Sequence, residues 1–186
     1  MTQDALAAAP SKSREEQLLQ AIQFDKLEEA ERLLTAGADP NAKSGVWGRP
    51  LLLAAARKQN GAFVRALIGT GADVNARSNT GETALMAAVR QGYEGNIRYL
   101  LSKGANAALT NAEGQSAADM SEKILEQNRM HMLSQALDGA LRENERQLLD
   151  KWHGLTALLK QAEKDAMSVA LKGDLSIRKP LQLRRS

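Results

Sequence analysis

The sequence predicts an all-α solenoid, in which short paired helices stack along one axis. The main observation is a repeat, because the segments Gly37-Ala38-Asp39-Pro40-Asn41, Gly71-Ala72-Asp73-Val74-Asn75 and Gly104-Ala105-Asn106 recur at spacings of 34 and 33 residues. The second observation is that apolar residues before each segment follow the spacing of a helix. A fixed period of this length is typical of proteins in which each unit packs only against its neighbours.

The third copy shows where the helices of one unit lie. Its apolar residues recur at helical spacing on both sides of a break at Gln91-Gly92: Leu85, Ala88 and Val89, then Ile97, Leu100 and Leu101. Each predicted helix has roughly 8 to 10 residues, which is too short for stability alone in water. We therefore expect stacking to supply the missing burial. The glycine that opens each repeated segment follows the second helix, where a left-handed residue ends a helix at low steric cost.

A second segment recurs at the start of each unit. The stretches 48–56 and 81–89 begin Gly-Arg-Pro-Leu-Leu and Gly-Glu-Thr-Ala-Leu and lie 33 residues apart, and a weaker copy begins at Gly114. The whole pattern resembles the ankyrin repeat, whose unit is a β-turn, two helices and a projecting finger, with Thr-Pro-Leu-His opening the first helix. The histidine of that motif is absent from every copy, so we expect cohesion between units to rest more on apolar contacts.

This resemblance divides the chain into four parts. We expect a disordered N-terminal segment at 1–13, an array of about four units at 14–138, a helical extension or C-terminal cap at 139–173, and a basic tail at 174–186. Residues 14–41 are the predicted N-terminal cap, because they lack the turn motif and carry several glutamates for a wet outer face. The first finger carries an insertion around Ser44-Gly45-Val46-Trp47.

The period dissolves after the fourth turn. Residues 119–138 are expected to form the helices of the last unit, with a buried stripe of Met120, Ile124, Met132, Leu133 and Leu137. A heptad-like seam then follows, made of Leu148, Trp152, Leu155, Leu159, Ala162, Ala166 and Val169, with a helix stop at Lys172-Gly173-Asp174. A competing interpretation takes 154–174 as a degenerate fifth repeat.

The seam must be covered, because large apolar side chains are not left in water without cost. Three covering surfaces are available: the open end of the last unit, an identical helix in a second chain, or the partner. The poor turn motif of the last unit favours the first surface and a chain that is monomeric when free. Trp152 is expected to be packed.

Composition argues against catalysis and metal binding. The 186 residues include no cysteine and two histidines, His131 and His153, which lack metal-ligand or triad spacing. We therefore predict no catalytic residue, no metal and no cofactor. The N-terminus does not have the pattern of a signal peptide, and no apolar run is long enough to cross a bilayer. A cytoplasmic location is the expectation, although secretion without an N-terminal signal stays open.

Charge is distributed unevenly along the chain. The formal charge is −4 over 1–40, +6 over 41–109, −3 over 110–149 and +4 over 150–186. The basic middle units favour an acidic protein surface as partner, although solvated helix faces would give the same pattern. Nucleic acid is less favoured because almost no aromatic residues accompany the basic ones. A membrane is also disfavoured, since acids dilute the basic residues of the extension.

The resemblance implies a non-enzymatic protein-binding function through the finger tips and the concave face. The residues it places there are Trp47, Arg49, Arg57, Lys58, Arg77, Asn79, Arg90 and Tyr93. Trp47 is the leading candidate, because tryptophan and arginine dominate binding hot spots. The alternative is that it folds back over the turn of the second repeat. The rival function is a targeting module for an activity, or for a membrane or partner anchor, in the C-terminal extension.

Overall fold

A computed structural model describes residues 12–135 and 143–177, and it confirms an all-α solenoid. The expected disordered segment at 1–13 and basic tail at 174–186 fall largely outside these residues. Eight helices and one small hairpin make up the described part of the chain: α1 Arg14–Gln23, α2 Leu27–Thr35, β1 Lys43–Ser44, β2 Arg49–Pro50, α3 Leu51–Ala56, α4 Ala62–Gly69, α5 Ala84–Gln91, α6 Glu94–Ser102, α7 Ala117–Gln135 and α8 Glu143–Ile177.

The helices form two parallel rows. Helices α1, α3, α5 and α7 stack in sequence in one row, and α2 packs on α4 in the other, while each first helix also packs on its own partner. Helix α5 is buried from Ala84 to Val89, and α3 is buried at Leu51, Leu52, Leu53, Ala55 and Ala56. Burial of one leucine contributes roughly 1.5 to 3 kcal/mol. The small alanines between the leucines let neighbouring helices approach closely.

Side-chain caps define where three of the helices begin. The Ser13 hydroxyl accepts the Glu16 N–H, and the Glu16 carboxylate accepts the Ser13 N–H, so a capping box starts α1. Ser116 and Asp119 make the same reciprocal pair before α7, at 3.2 and 2.8 Å. Thr83 caps α5 through the Met86 N–H. The degenerate copies of the helix-opening motif at Thr83 and Ser116 therefore keep its capping function, whereas Pro50 gives α3 no side-chain cap.

Asparagine side chains tie neighbouring units together. Asn41 donates from Nδ2 to the Gly71 carbonyl and accepts the Asp73 N–H at 2.7 Å. Asn75 repeats both bonds one unit later, with the Gly104 carbonyl and the Asn106 N–H. The expectation that cohesion would rest mainly on apolar contacts is therefore incomplete. The last residue of each five-residue repeat segment bridges two successive turns at one fixed offset, which sets the register between units.

The buried side chain of Asn96 adds a second polar tie. It lies on α6 and donates to the Lys58 carbonyl at 2.8 Å, where α3 ends. The chain between α3 and α4 would otherwise present an unpaired carbonyl to the core, which costs free energy. One amide thus holds the second unit to the third.

Residues 117–135 form one continuous helix, and the expected pair of short helices in the last unit is wrong. The second helix of that unit is supplied by α8, which packs along α7. Met120 is buried, Ile124 lies partly buried against the core, and Met132 is half-buried. The side chains of Leu133 and Leu137 lie outside the described residues. Residues 117–135 contain no glycine or proline, so no helix-breaking residue divides this segment into two helices.

Helix α8 covers the open end of the array. Trp152, Leu155 and Leu159 are buried in the same core cluster as the repeats, which confirms that Trp152 is packed. The Ser121 and Thr156 hydroxyls bond at 2.7 Å inside this contact. An ion pair between Lys160 and Glu122 closes its outer edge. The first of the three covering surfaces is therefore the one that the structure uses.

The ends of the predicted seam are misplaced. Leu149 is buried and Leu148 is 40% exposed, so the seam begins one residue later than expected. Val169 is 71% exposed, because α8 by then has passed the start of α7. The sequence could not locate these ends, since they depend on where α7 begins and ends.

Helix α8 runs without a break through both glycines of the extension. It has 35 residues and a length of about 50 Å. The expected stop at Lys172-Gly173-Asp174 is wrong, and so is the fifth-repeat interpretation, because 154–174 contains no turn between two helices. A glycine costs a helix only about 1 kcal/mol relative to alanine, which is too little to end one that is packed along a neighbour.

Substitution of Asn75 by alanine should lower the free energy of unfolding by about 1 to 2 kcal/mol, since both hydrogen bonds to the next unit are lost. Asn106 is the matched control, because within the described residues its side chain bonds only to the Ala108 N–H of its own turn. Asn106→Ala should cost about half as much. Urea denaturation of the two variants measures the difference, and equal losses would mean that the bridge adds nothing between units.

Two glycine-to-alanine variants should move stability in opposite directions. Gly92 ends α5 at φ +68°, and an added Cβ would lie 3.0 Å from the Trp152 ring. Gly92→Ala should therefore destabilise the fold by about 1 to 2 kcal/mol. Gly154 is helical, with no atom within 4 Å of an added Cβ, so Gly154→Ala should stabilise it by about 0.5 to 1 kcal/mol. The thermal unfolding midpoints of both variants test how α8 packs against the third unit.

Candidate functional site

The tip of the first finger exposes two apolar side chains. A two-stranded antiparallel hairpin pairs Lys43 with Pro50 and Ser44 with Arg49, and the inserted residues form its turn. Val46 is 91% exposed and Trp47 is 56% exposed. The indole of Trp47 is therefore not buried over the turn of the second repeat.

Backbone hydrogen bonds hold this tip against the next finger. The Trp47 carbonyl accepts the Asn79 N–H at 3.0 Å, and the Asn79 side chain donates to the Val46 carbonyl at 3.4 Å. The second finger is bound to the third in the same way, because the Thr80 carbonyl accepts the Ala112 N–H at 2.8 Å. Trp47 is thus presented on a rigid row of fingers.

A depression of about 330 Å³ lies between the finger tips and the first helices of the second and third units. It holds four of the side chains predicted from the sequence. The lining residues are Trp47, Arg49, Arg57, Thr80, Glu82, Arg90, Asn111, Ala112 and Glu113. Three arginines and two glutamates give this lining a formal charge of +1. We call it the finger depression.

Glu82 is the buried centre of the finger depression. Its side chain is 9% exposed and forms ion pairs with Arg57 at 3.1 Å and with Arg90 at 2.8 Å. The two arginines lie 33 residues apart, at equivalent positions of neighbouring units. One carboxylate therefore brings two guanidinium groups together that would otherwise repel each other.

The finger depression keeps hydrogen-bond donors that the described residues do not use. Arg57 Nε is buried and has no partner among them. The guanidinium of Arg49 forms no hydrogen bond or ion pair within the described part of the chain, and Arg49 is exposed. A buried donor without a partner, such as Arg57 Nε, is rare in folded proteins and needs an explanation.

A second depression lies where α1, α3 and α5 end. It has a volume of about 620 Å³ and is lined by Asp25, Arg57, Lys58, Gln59, Asn60 and Tyr93. Lys58 donates there to Asp25 at 3.0 Å and to the Gln23 carbonyl at 2.6 Å, so its ammonium is already bound within the protein. This depression offers fewer unused groups to a ligand.

The structure divides the eight predicted site residues into three groups. Trp47, Arg49, Arg57 and Arg90 line the finger depression; Lys58 and Tyr93 line the second one, which Arg57 also reaches. Arg77 donates to the Thr110 carbonyl, so it joins two fingers, as Asn79 does. Sequence reasoning missed Glu82. The sequence did contain a signal for it. Glu82 directly precedes the cap residue Thr83, and the basic residues Arg57 and Arg90 recur with the period of the repeats.

Three carboxyl groups with a lowered pKa lie away from the finger depression. The hydrogen bond from Arg32 lowers the pKa of Glu29, and the one from Arg129 lowers that of Glu126. The pKa of Glu15 is lowered by its own backbone N–H first, then by the Ser13 hydroxyl and the Asp39 N–H. Glu15 and Glu29 are half-buried and Glu126 is exposed, and all three serve as helix-surface contacts or caps.

The described helices contain no segment apolar enough and long enough to cross a bilayer. Among residues 12–135 and 143–177, no three His, Cys, Asp or Glu side chains are grouped as metal ligands would be.

Comparison with known proteins gives one family and several relatives. A family model described as ankyrin repeats, in three copies, matches residues 18–111. Neurogenic locus notch homolog protein 2 of Homo sapiens is 33% identical over 113 residues, which are 61% of this chain and 5% of the human one. Neurogenic locus Notch protein of Drosophila melanogaster is 35% identical over 101 residues, or 54% and 4% of the two chains. Protein PhlB of Serratia liquefaciens is 37% identical over 113 residues, or 60% and 49%.

Replacing Glu82 by glutamine should lower the free energy of unfolding by about 1 to 2 kcal/mol, because two arginines lose a buried charged acceptor. The loss stays below that of a fully buried pair, since Arg57 and Arg90 are partly exposed. Glu113→Gln, at an exposed position of the same depression, is the matched control and should change stability by less than about 0.5 kcal/mol. Thermal unfolding of the two variants makes the comparison; equal midpoints would show that the ion pairs add no stability.

Proposed function

The chain belongs to the ankyrin repeat family, whose repeats are protein–protein interaction modules, and we propose that it binds an acidic surface of a partner protein with its finger tips and concave face. The matched segment is about half of PhlB and a small fraction of the Notch proteins. The chemistry of the proposed partner follows from the residues of this chain.

The observation that carries the proposal is the presentation of Trp47 beside the finger depression. Its indole is more than half exposed, although its backbone is fixed by the next finger. A large aromatic side chain held on a rigid frame loses little conformational entropy on binding, which makes it an effective anchor. Three arginines lie along the same depression and supply charge next to this anchor.

The charge of the middle units supports an acidic partner. Residues 41–109 carry a formal charge of +6. Among these residues, Arg49 and Arg90 are exposed around the finger depression, while Lys58 and Arg77 are bound to neighbouring carbonyls. Complementary charge raises the rate of encounter and selects against basic surfaces more than it adds affinity.

The proposed module is not an enzyme. The family is typically non-catalytic, and the one buried carboxylate of the finger depression has both oxygens within ion-pair distance of arginine. We also propose that the free chain is monomeric, because the buried residues of α8 are used within the chain.

Trp47→Ala should weaken binding of the partner by about 2 kcal/mol, a loss of roughly 30-fold in affinity, and should leave the thermal midpoint unchanged. The experiment uses a partner captured from native lysate, identified by mass spectrometry and then titrated as a purified protein. Met130→Ala is the control, since Met130 is 57% exposed on α7, outside the finger depression.

Two results would contradict the proposal. Loss of folding in Trp47→Ala would mean that the indole is structural. Unchanged affinity would move the binding surface elsewhere, with the end of α8 as the next candidate because Met167 and Val169 are exposed there.

A further inference from the structure

We propose that the finger depression is a subsite for one carboxylate of an acidic side chain on the partner, bound by Arg57 and Arg90 and oriented by Glu82. This inference rests on the proposed function and deepens it. Glu82 is a positioning residue here, because it acts through the two arginines and does not contact the ligand.

Each guanidinium has nitrogens that Glu82 does not use, and the Arg57 and Arg90 side chains are 31% and 46% exposed. Arg57 uses Nη2 on Glu82, at 3.1 and 3.4 Å from its two oxygens, and Arg90 uses Nη1 at 2.8 Å. A guanidinium carries five N–H donors on three nitrogens. Arg57 Nε is too buried for a ligand to reach, but Arg57 Nη1 and Arg90 Nε and Nη2 also have no acceptor within the described residues. The depression therefore contains more donors than the protein satisfies.

Charge favours a single carboxylate over a phosphate group. The lining has a formal charge of +1, from three arginines and two glutamates. One carboxylate brings this total to zero. A phosphoryl group carries −1.5 to −2 at neutral pH and would leave an excess of negative charge around the buried Glu82. The planar fork of arginine also matches the two oxygens of a carboxylate.

The volume of the finger depression and the position of Trp47 favour, as ligand, a side chain of a folded or extended partner. The volume of about 330 Å³ is at the small end of known ligand sites, which span roughly 300 to 1,000 Å³. Trp47 lines the same depression, so a residue next to the acidic one can pack on the indole. The geometry thus fits an acidic residue flanked by apolar ones.

Glu82 should also set the selectivity of the subsite. Its single negative charge lowers the formal charge of the lining from +2 to +1. Glutamine at position 82 would raise that total by one and make a doubly charged ligand more favourable. A residue with a purely structural role would change the stability of the protein without inverting this preference.

The test titrates four short peptides into the full ¹⁵N-labelled protein and follows the two indole N–H signals by NMR. The first peptide is acetyl-Gly-Leu-Glu-Leu-Gly-amide. The second has glutamine in place of the glutamate, and the third has phosphoserine there. The fourth has the glutamine sequence with a free C-terminal carboxylate. Trp152 is an internal control, because it is buried under α8.

We expect the glutamate peptide to shift the Trp47 signal with an affinity at least about tenfold higher than any other peptide. Arg57→Lys and Arg90→Lys should each weaken it by about tenfold, since lysine keeps the charge and loses the fork. Arg98→Lys is the control, because Arg98 pairs with Glu94 on α6 and lies outside the depression. Glu82→Gln should shift the ratio of phosphoserine to glutamate affinity by about tenfold toward phosphoserine.

Several outcomes would overturn the inference. They are equal binding of the glutamate and glutamine peptides, tighter binding of the phosphoserine or C-terminal carboxylate peptide by the native protein, or no shift of Trp47 with any peptide. If Glu82→Gln does not fold, the two lysine variants decide alone. Loss of partner binding in Trp47→Ala, with full binding in both lysine variants, would refute the carboxylate subsite and leave the proposed function intact.

Discussion

The first six helices have between six and ten residues, and helices of this length are not stable in water by themselves. Their stability comes from burial between neighbours, which explains why α5 is buried on every side from Ala84 to Val89. A helix that packs between two neighbouring helices has room for only some large side chains, so alanine recurs among the leucines of α3 and α5. Every other feature of the molecule depends on this stack, because no unit has a core of its own.

Apolar burial holds the units together but does not fix their relative position, and polar contacts perform that task. The bridges from Asn41 and Asn75 connect successive turns at a constant offset. Backbone bonds between the fingers continue the same register to Trp47. Because the register is fixed, Arg57 and Arg90 from different units meet at one carboxylate, Glu82. The binding surface is thus a product of the stacking geometry.

A stack that exposes its last apolar face would associate or unfold, so its end needs a cover. Here α8 provides it, with Trp152 packed over Gly92 of the third unit and Leu155 and Leu159 buried beside it. The outer side of this cover is polar, with an ion pair between Lys160 and Glu122. The two ends of the array are therefore closed differently, since the N-terminal unit relies on its own charged helix faces.

The sequence by itself determined the fold class, the period, the helix pairs of the first three units and the exposure of the inserted finger, because these follow from local spacing and turn chemistry. It also identified Trp47, Arg49, Arg57 and Arg90 as candidates. Only the tertiary structure decided that Glu82 joins two arginines, that Arg77 and Asn79 bind other fingers, and that the seam of α8 begins at Leu149. Those outcomes depend on contacts between residues far apart in the chain, and the spacing of residues within one unit carries no information about which groups meet across two units.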